Sequence, residues 1–151
     1  MMTTIVQRIA RMFRLGRISP ALRSQLEAAE RIHYLAEGIW QTAVFKEFRA
    51  PGACCGHRTI GFIGFFIVTE KRLIAKARLG HQVDIDIGFK HPQFGSVSFV
   101  ADRSMIYLRF DASIQSPDMS GQIELRLHVP DTQVVADVLK KAGAMIEVRN
   151  G

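Results

Sequence analysis

Beyond residue 30 the apolar positions of this chain recur every second residue, whereas before it they follow a helical spacing. A period of two sends alternate side chains to opposite faces of a strand, and a period near 3.6 lays them along one helix stripe. Residues 4–15 are helical by this test, with Ile5, Ile9, Met12 and Phe13 on one face and Gln7, Arg11 and Arg14 opposite. Gly16 ends that helix. Ser19 then reads as an N-cap and Pro20 as the first residue of a second helix running to about Glu30, with Leu22, Leu26 and Ala29 on its buried face.

The strand pattern follows. Residues 39–49 form the first strand, rich in aromatic and β-branched side chains, and residues 50–56 form a loop. Residues 58–68 are apolar on both faces: Ile60, Phe62, Phe66 and Val68 on one, Ile63, Phe65 and Ile67 on the other. A strand covered on both sides reads this way. Residues 72–78 and 82–88 make a hairpin around Leu79, Gly80 and His81. Its register is fixed internally. If Arg78 faces Gln82, then Lys76 faces Asp84, Ala75 faces Ile85 and Leu73 faces Ile87, so apolar meets apolar and opposite charges meet. A loop at 91–95, short strands at 96–101 and 105–111 and a longer loop at 112–121 come next. Residues 122–129 alternate, with Ile123, Leu125, Leu127 and Val129 inward and Glu124, Arg126 and His128 outward. A last helix starts after Pro130 with Asp131 as its cap, buries Val134, Val135, Val138 and Leu139, and closes at Gly143.

The predicted architecture is α+β and mainly β: two N-terminal helices, about seven antiparallel strands forming a small open barrel or orthogonal sandwich, and a C-terminal helix that plugs it. This order, with the corner Gly64, Thr69, Glu70, Lys71, Arg72 and Leu73, resembles the bacterial pleckstrin-homology-like domains, over roughly residues 35–142. The resemblance implies a split barrel capped by the final helix, and a binding or scaffolding role in place of catalysis. The chain lacks the dense Lys/Arg pocket of the phosphoinositide-binding relatives. On this reading residues 1–18 are a basic amphipathic arm and residues 19–151 a single barrel domain.

Charge sharpens the picture of the arm. Of 20 Lys and Arg, five (Arg8, Arg11, Arg14, Arg17 and Arg23) fall in residues 1–26, where no acid occurs; the other 15 are balanced by 14 acids. A nearly neutral body argues against a nucleic-acid-binding face, which spreads cations over a folded surface. Arg8, Arg11, Arg14 and Arg17 with Met12 and Phe13 suit an anionic membrane surface, the arginines meeting phosphates and the apolar stripe entering the acyl boundary. The same stripe also suits packing on the domain itself or on a second subunit, as a homo-oligomer or on a protein partner. An organelle transit peptide is a third reading, disfavoured by few serines. No apolar run reaches the ~18 residues of a membrane span. Arginines interrupt any secretory signal, and the only two cysteines, Cys54 and Cys55, are adjacent. A cytoplasmic protein, peripheral to the inner membrane, is expected.

The remaining candidates are weaker. Lys71, Arg72, Lys76 and Arg78 form a possible anion-binding stripe, but Asp84 and Asp86 favour a cross-paired, solvated face. Cys54, Cys55 and His57 lack the second ligand pair of a structural zinc site, and His81, Asp84, Asp86 and His91 are poorly aligned for a metal or acid–base site. Trp40, Phe45, Phe48 and Phe62 either line a ligand cavity, as in a small-ligand carrier, or fill the barrel; filling is favoured. Nucleophile elbows, phosphate-binding glycine loops and zincin motifs are absent. No catalytic residue, metal or cofactor is expected.

Overall fold

A computed structural model describes residues 18–77 and 84–149. The helix expected over residues 4–15 lies outside them. The structure is mainly β. Helix α1 (Pro20–Ala29) leads into two long strands, β1 (Ile32–Ala50) and β2 (Ala53–Thr69). Then come β3 (Arg72–Ala77), β4 (Asp84–Gly88), β5 (Ser98–Asp102), β6 (Met105–Asp111), β7 (Ser120–His128), α2 (Thr132–Lys141) and β8 (Ile146–Arg149). All eight strands belong to one sheet in the order β4-β3-β2-β1-β7-β6-β5-β8. The sheet curls into a half-barrel.

This overturns the split barrel of about seven antiparallel strands behind two N-terminal helices. The sheet is single and mixed, because β8 runs parallel to β5. Among the described residues one helix, α1, precedes it. The eighth strand arises at the end of α2. There Gly143, at φ 98, allows its own N–H to reach Lys140 O and Ala144 N–H to reach Leu139 O, both at 3.0 Å. The chain reverses within three residues, and Ile146 aligns with Phe99. Four residues so close behind a helix carry too short an alternation to announce a strand.

The expected loop at 50–56 is also corrected. Pro51 and Gly52 alone make the turn, and β2 begins at Ala53, so the backbone of Cys54 and Cys55 pairs with Arg49 and Phe48. Conversely, residues 94–96 form a short 3-10 turn, and β5 begins only at Ser98. The β3–β4 register is the expected one: Lys76 opposite Asp84, Ala75 opposite Ile85, Leu73 opposite Ile87. The expected Arg78–Gln82 pair lies outside the described residues. Register shifts in β1 between Ala36 and Ile39, where Gly38 sits at φ 64, and between Lys46 and Arg49 bend that strand. Bulges of this kind increase local twist and let one strand serve two differently inclined halves.

Two apolar cores result. The larger fills the concave face, with Phe66, Leu73, Phe99, Ile106, Leu125 and Leu127 wholly buried, and α2 closes it with Val135, Ala136 and Leu139. Val134, expected inside, is 48% exposed, and Ala136 occupies the buried stripe instead. The smaller core lies on the convex face, where Phe65, Ile67 and Ile74 are covered by Ile18 and Leu26, with Leu22 at the side. This is why β2 reads apolar on both faces. Ser19 Oγ accepts the Leu22 N–H at 3.2 Å and starts α1; Pro20 follows, and Glu30 N–H closes on Leu26 O at 2.7 Å. The helix seats by a narrow stripe, and Ala29, expected to be buried, is exposed.

Candidate functional site

The corner between β2 and β3 carries the sequence motif, and its residues are spent on structure. Thr69 is fully buried; its Oγ1 accepts the N–H groups of Lys71 and Arg72, each at 3.1 Å, and donates to Arg72 O at 3.2 Å. One hydroxyl thereby satisfies three backbone groups that the reversal leaves without ladder partners. Glu70 ties the corner to the end of α1, its N–H reaching Arg31 O at 2.9 Å and its Oε1 accepting Arg31 N–H at 3.3 Å.

Arg72 leaves the corner along the convex face and binds two carboxylates, Glu30 through Nε and Asp86 through Nη1, both at 3.0 Å. Lys76 Nζ lies 3.6 Å from Asp84. The proposed anion stripe is thus cross-paired: Arg72 and Lys76 are engaged, Lys71 is exposed at the corner, and Arg78 lies outside the described residues. Burial raises the Asp86 carboxyl above its ordinary value of 3.8 despite the opposing pull of Arg72 and Lys76.

A second charged group sits on the convex face of β6 and β7, where sequence reading placed only outward residues. Cross-strand register sets Arg109 opposite Glu124. Glu124 is buried, and its two oxygens accept Arg109 Nη2 and Arg126 Nη2, each at 3.0 Å. Burial alone would raise this carboxyl; the two guanidinium hydrogen bonds outweigh it and hold the group below its ordinary value of 4.5. The signal was present in the alternation of residues 122–129 but needed the partner strand's register to be seen. A polar trough of about 470 Å³ runs from this triad past Tyr107 to Glu147 and Arg149 on β8.

The other candidates disperse. Phe62 belongs to the concave core, and Phe45 and Phe48 pack at its rim edge to face, with ring centroids 5.0 Å apart. Trp40 is on the opposite face, over Gly61, where an added Cβ would fall 2.5 Å from its ring and the indole would have to shift. These four aromatics do not surround one space. His91 Nδ1 accepts the Gln93 N–H at 3.0 Å inside a turn, away from Asp84 and Asp86 on β4, and His81 lies outside the described residues. Among the described residues no His, Cys, Asp and Glu group has a metal-binding arrangement. Tyr34 Oη donates to Asp131 Oδ1 at 2.6 Å, so the carboxylate at the N-cap position of α2 anchors that helix to β1 and makes no cap hydrogen bond. Burial first, and then this bond and the Asp131 charge, push the phenol well above its ordinary value. A recess of about 330 Å³ between the corner and α2 is lined by His33, Glu70 and Lys141 at its polar end.

Arg8, Arg11, Met12, Phe13, Arg14 and Arg17 lie outside the described residues. The described chain begins at Ile18, buried in the convex apolar core. Among the described residues no helix is long and apolar enough to cross a membrane. No protein-family model matches the chain, and no curated protein matches it significantly.

Proposed function

We propose that this chain is a non-enzymatic binding module held at an anionic phospholipid surface by its arginine-rich N-terminal arm. The observation that carries the reading is the division of charge: four arginines and no acid in residues 1–18, against 16 cations and 14 acids in the remainder, where Arg23 is paired with Glu27 on α1. The ion pairs of the body support it. Arg72, Lys76, Arg109 and Arg126 are each held by carboxylates, so these strand cations are already matched. The concave face, where a carrier or enzyme built on this sheet would hold a small molecule, is filled by Phe66, Phe99, Ile106, Leu125 and Leu139. Attachment through the arm follows the physics of basic amphipathic segments, which gain from phosphate contacts and from burial of their apolar stripe.

The test compares the full-length chain with an Arg8→Glu, Arg11→Glu, Arg14→Glu, Arg17→Glu variant in co-sedimentation with vesicles. Vesicles of phosphatidylcholine containing phosphatidylserine should carry down the wild-type chain, and pure phosphatidylcholine should not. Binding should weaken with salt, as screening predicts, and the variant should remain in the supernatant. Equal sedimentation of both chains removes the arm from the account.

A further inference from the structure

Among the described residues the curled sheet has two edge strands, β4 and β8, and they are finished differently. On β4 the side chain of Gln115 takes the place of a neighbouring strand: its Oε1 accepts Asp86 N–H at 3.3 Å and its Nε2 donates to Asp86 O at 3.5 Å. On β8, β5 lies on one side and, among the described residues, no strand lies on the other. An open edge presents unpaired N–H and C=O groups, and proteins commonly blunt it with proline, lysine or a covering loop. β8 has neither proline nor lysine; its protection is its length of four residues and the opposite charges of Glu147 and Arg149, which can pair across a copy of the same edge. The segment also exposes apolar surface: Met145 is 85% and Val148 37% accessible.

We infer that β8 pairs antiparallel with β8 of a second copy of this chain, about a twofold axis through Val148. The occupant follows from the charges. The strand reads Ile146, Glu147, Val148, Arg149. With Val148 opposite itself, Glu147 of each copy faces Arg149 of the other, and both opposite-charge pairs lie on one face. Residues that face each other across two identical antiparallel edges must share the same backbone orientation, so the axis passes through a residue and not between two. Moving it to Glu147 sets glutamate against glutamate, and moving it to Arg149 sets arginine against arginine. A parallel, in-register pairing also aligns like charges. In the single copy Glu147 and Arg149 hold each other only at 3.3 Å with both side chains more than half exposed, so the exchange gives up little. Strands this short bury a small area, and the dimer is a weak, concentration-dependent one.

The test is sedimentation equilibrium of the full-length chain over a concentration series. Wild type should show a monomer–dimer equilibrium. Glu147→Arg alone and Arg149→Glu alone each place like charges opposite one another and should weaken self-association by roughly tenfold or more. Mixing these two single variants should restore a one-to-one dimer, because two arginines then face two glutamates. The double variant Glu147→Arg, Arg149→Glu should dimerise by itself. A wild-type chain that stays monomeric to about 1 mM, single variants that associate as wild type does, or a mixture no stronger than its components would each overturn the inference.

Discussion

The two halves of the sheet treat their convex faces in opposite ways. On β2 and β3 that face is apolar, with Phe65, Ile67 and Ile74, and the chain supplies α1 to cover it. On β5 to β8 it is polar, with Tyr107, Arg109, Glu124, Glu147 and Arg149 around an open trough, and no described helix lies over it. The concave faces of both halves are apolar and share one core. A sheet must bury each apolar face against something, whereas a polar face can be left to water. Charge follows the same division. Beside α1, Arg72 joins the helix end to β4 through Glu30 and Asp86, whereas Arg109 and Arg126 converge on one glutamate within the sheet.

If the helix is the essential cover of the first half, removing its anchor should have the largest effect. Leu26 is the one side chain of α1 that is fully inserted. Leu26→Ala should destabilise the fold by about 3 kcal/mol, from lost transfer energy and the cavity left behind. Urea denaturation measures this; a cost below about 1 kcal/mol would mean that the convex core stands without the helix.

Arg72→Ala should come next. It leaves Glu30, whose side chain is 5% accessible, without its cation and cuts the link to Asp86. A cost of about 2 kcal/mol is expected for a buried carboxylate left uncompensated at a partly exposed site. Adding Glu30→Gln to that variant should recover part of the loss. No recovery would show that Arg72 acts through the corner backbone and not through its charge.

The smallest effect should be that of Glu124→Gln, about 1 kcal/mol at neutral pH, and its pH dependence separates the two halves. The folded Glu124 carboxyl lies below its ordinary value of 4.5, so its contribution is complete above that pH and is lost as pH falls through the lower folded value. Asp86 has the opposite sign. Its folded value is raised above 3.8, so its charge costs stability at neutral pH, and that cost is relieved as pH falls through the raised value. Glu124→Gln should therefore flatten the acid loss of stability, and Asp86→Asn should steepen it. Identical acid limbs for the two variants and wild type would contradict both assignments.

Single elements were legible in the residues, but the architecture was not: the expected antiparallel split barrel is one mixed sheet. The two-sided apolar run of β2 announced a strand buried on both faces. The β3–β4 register followed from matching Leu73 with Ile87 and Lys76 with Asp84, and the Ser19 cap was readable from local chemistry. The candidate sites were less legible. The cationic stripe was visible, but its engagement of Glu30 depends on where α1 docks, 42 residues away in sequence. The Glu124 triad required β6 and β7 to be aligned first, and the short β8 was hidden by its length.

What the amino-acid order determined by itself was local: the period of the strands, the Ser19 cap and the pairing of β3 with β4, because these depend on residues a few positions apart. Only the tertiary structure decided that β1 joins the two halves, that β8 lies parallel to β5, and that Gln115 bonds the β4 edge whereas, among the described residues, no strand pairs with the outer edge of β8. Those outcomes depend on contacts between distant segments, where the same alternation satisfies several topologies and the burial of whole faces selects among them.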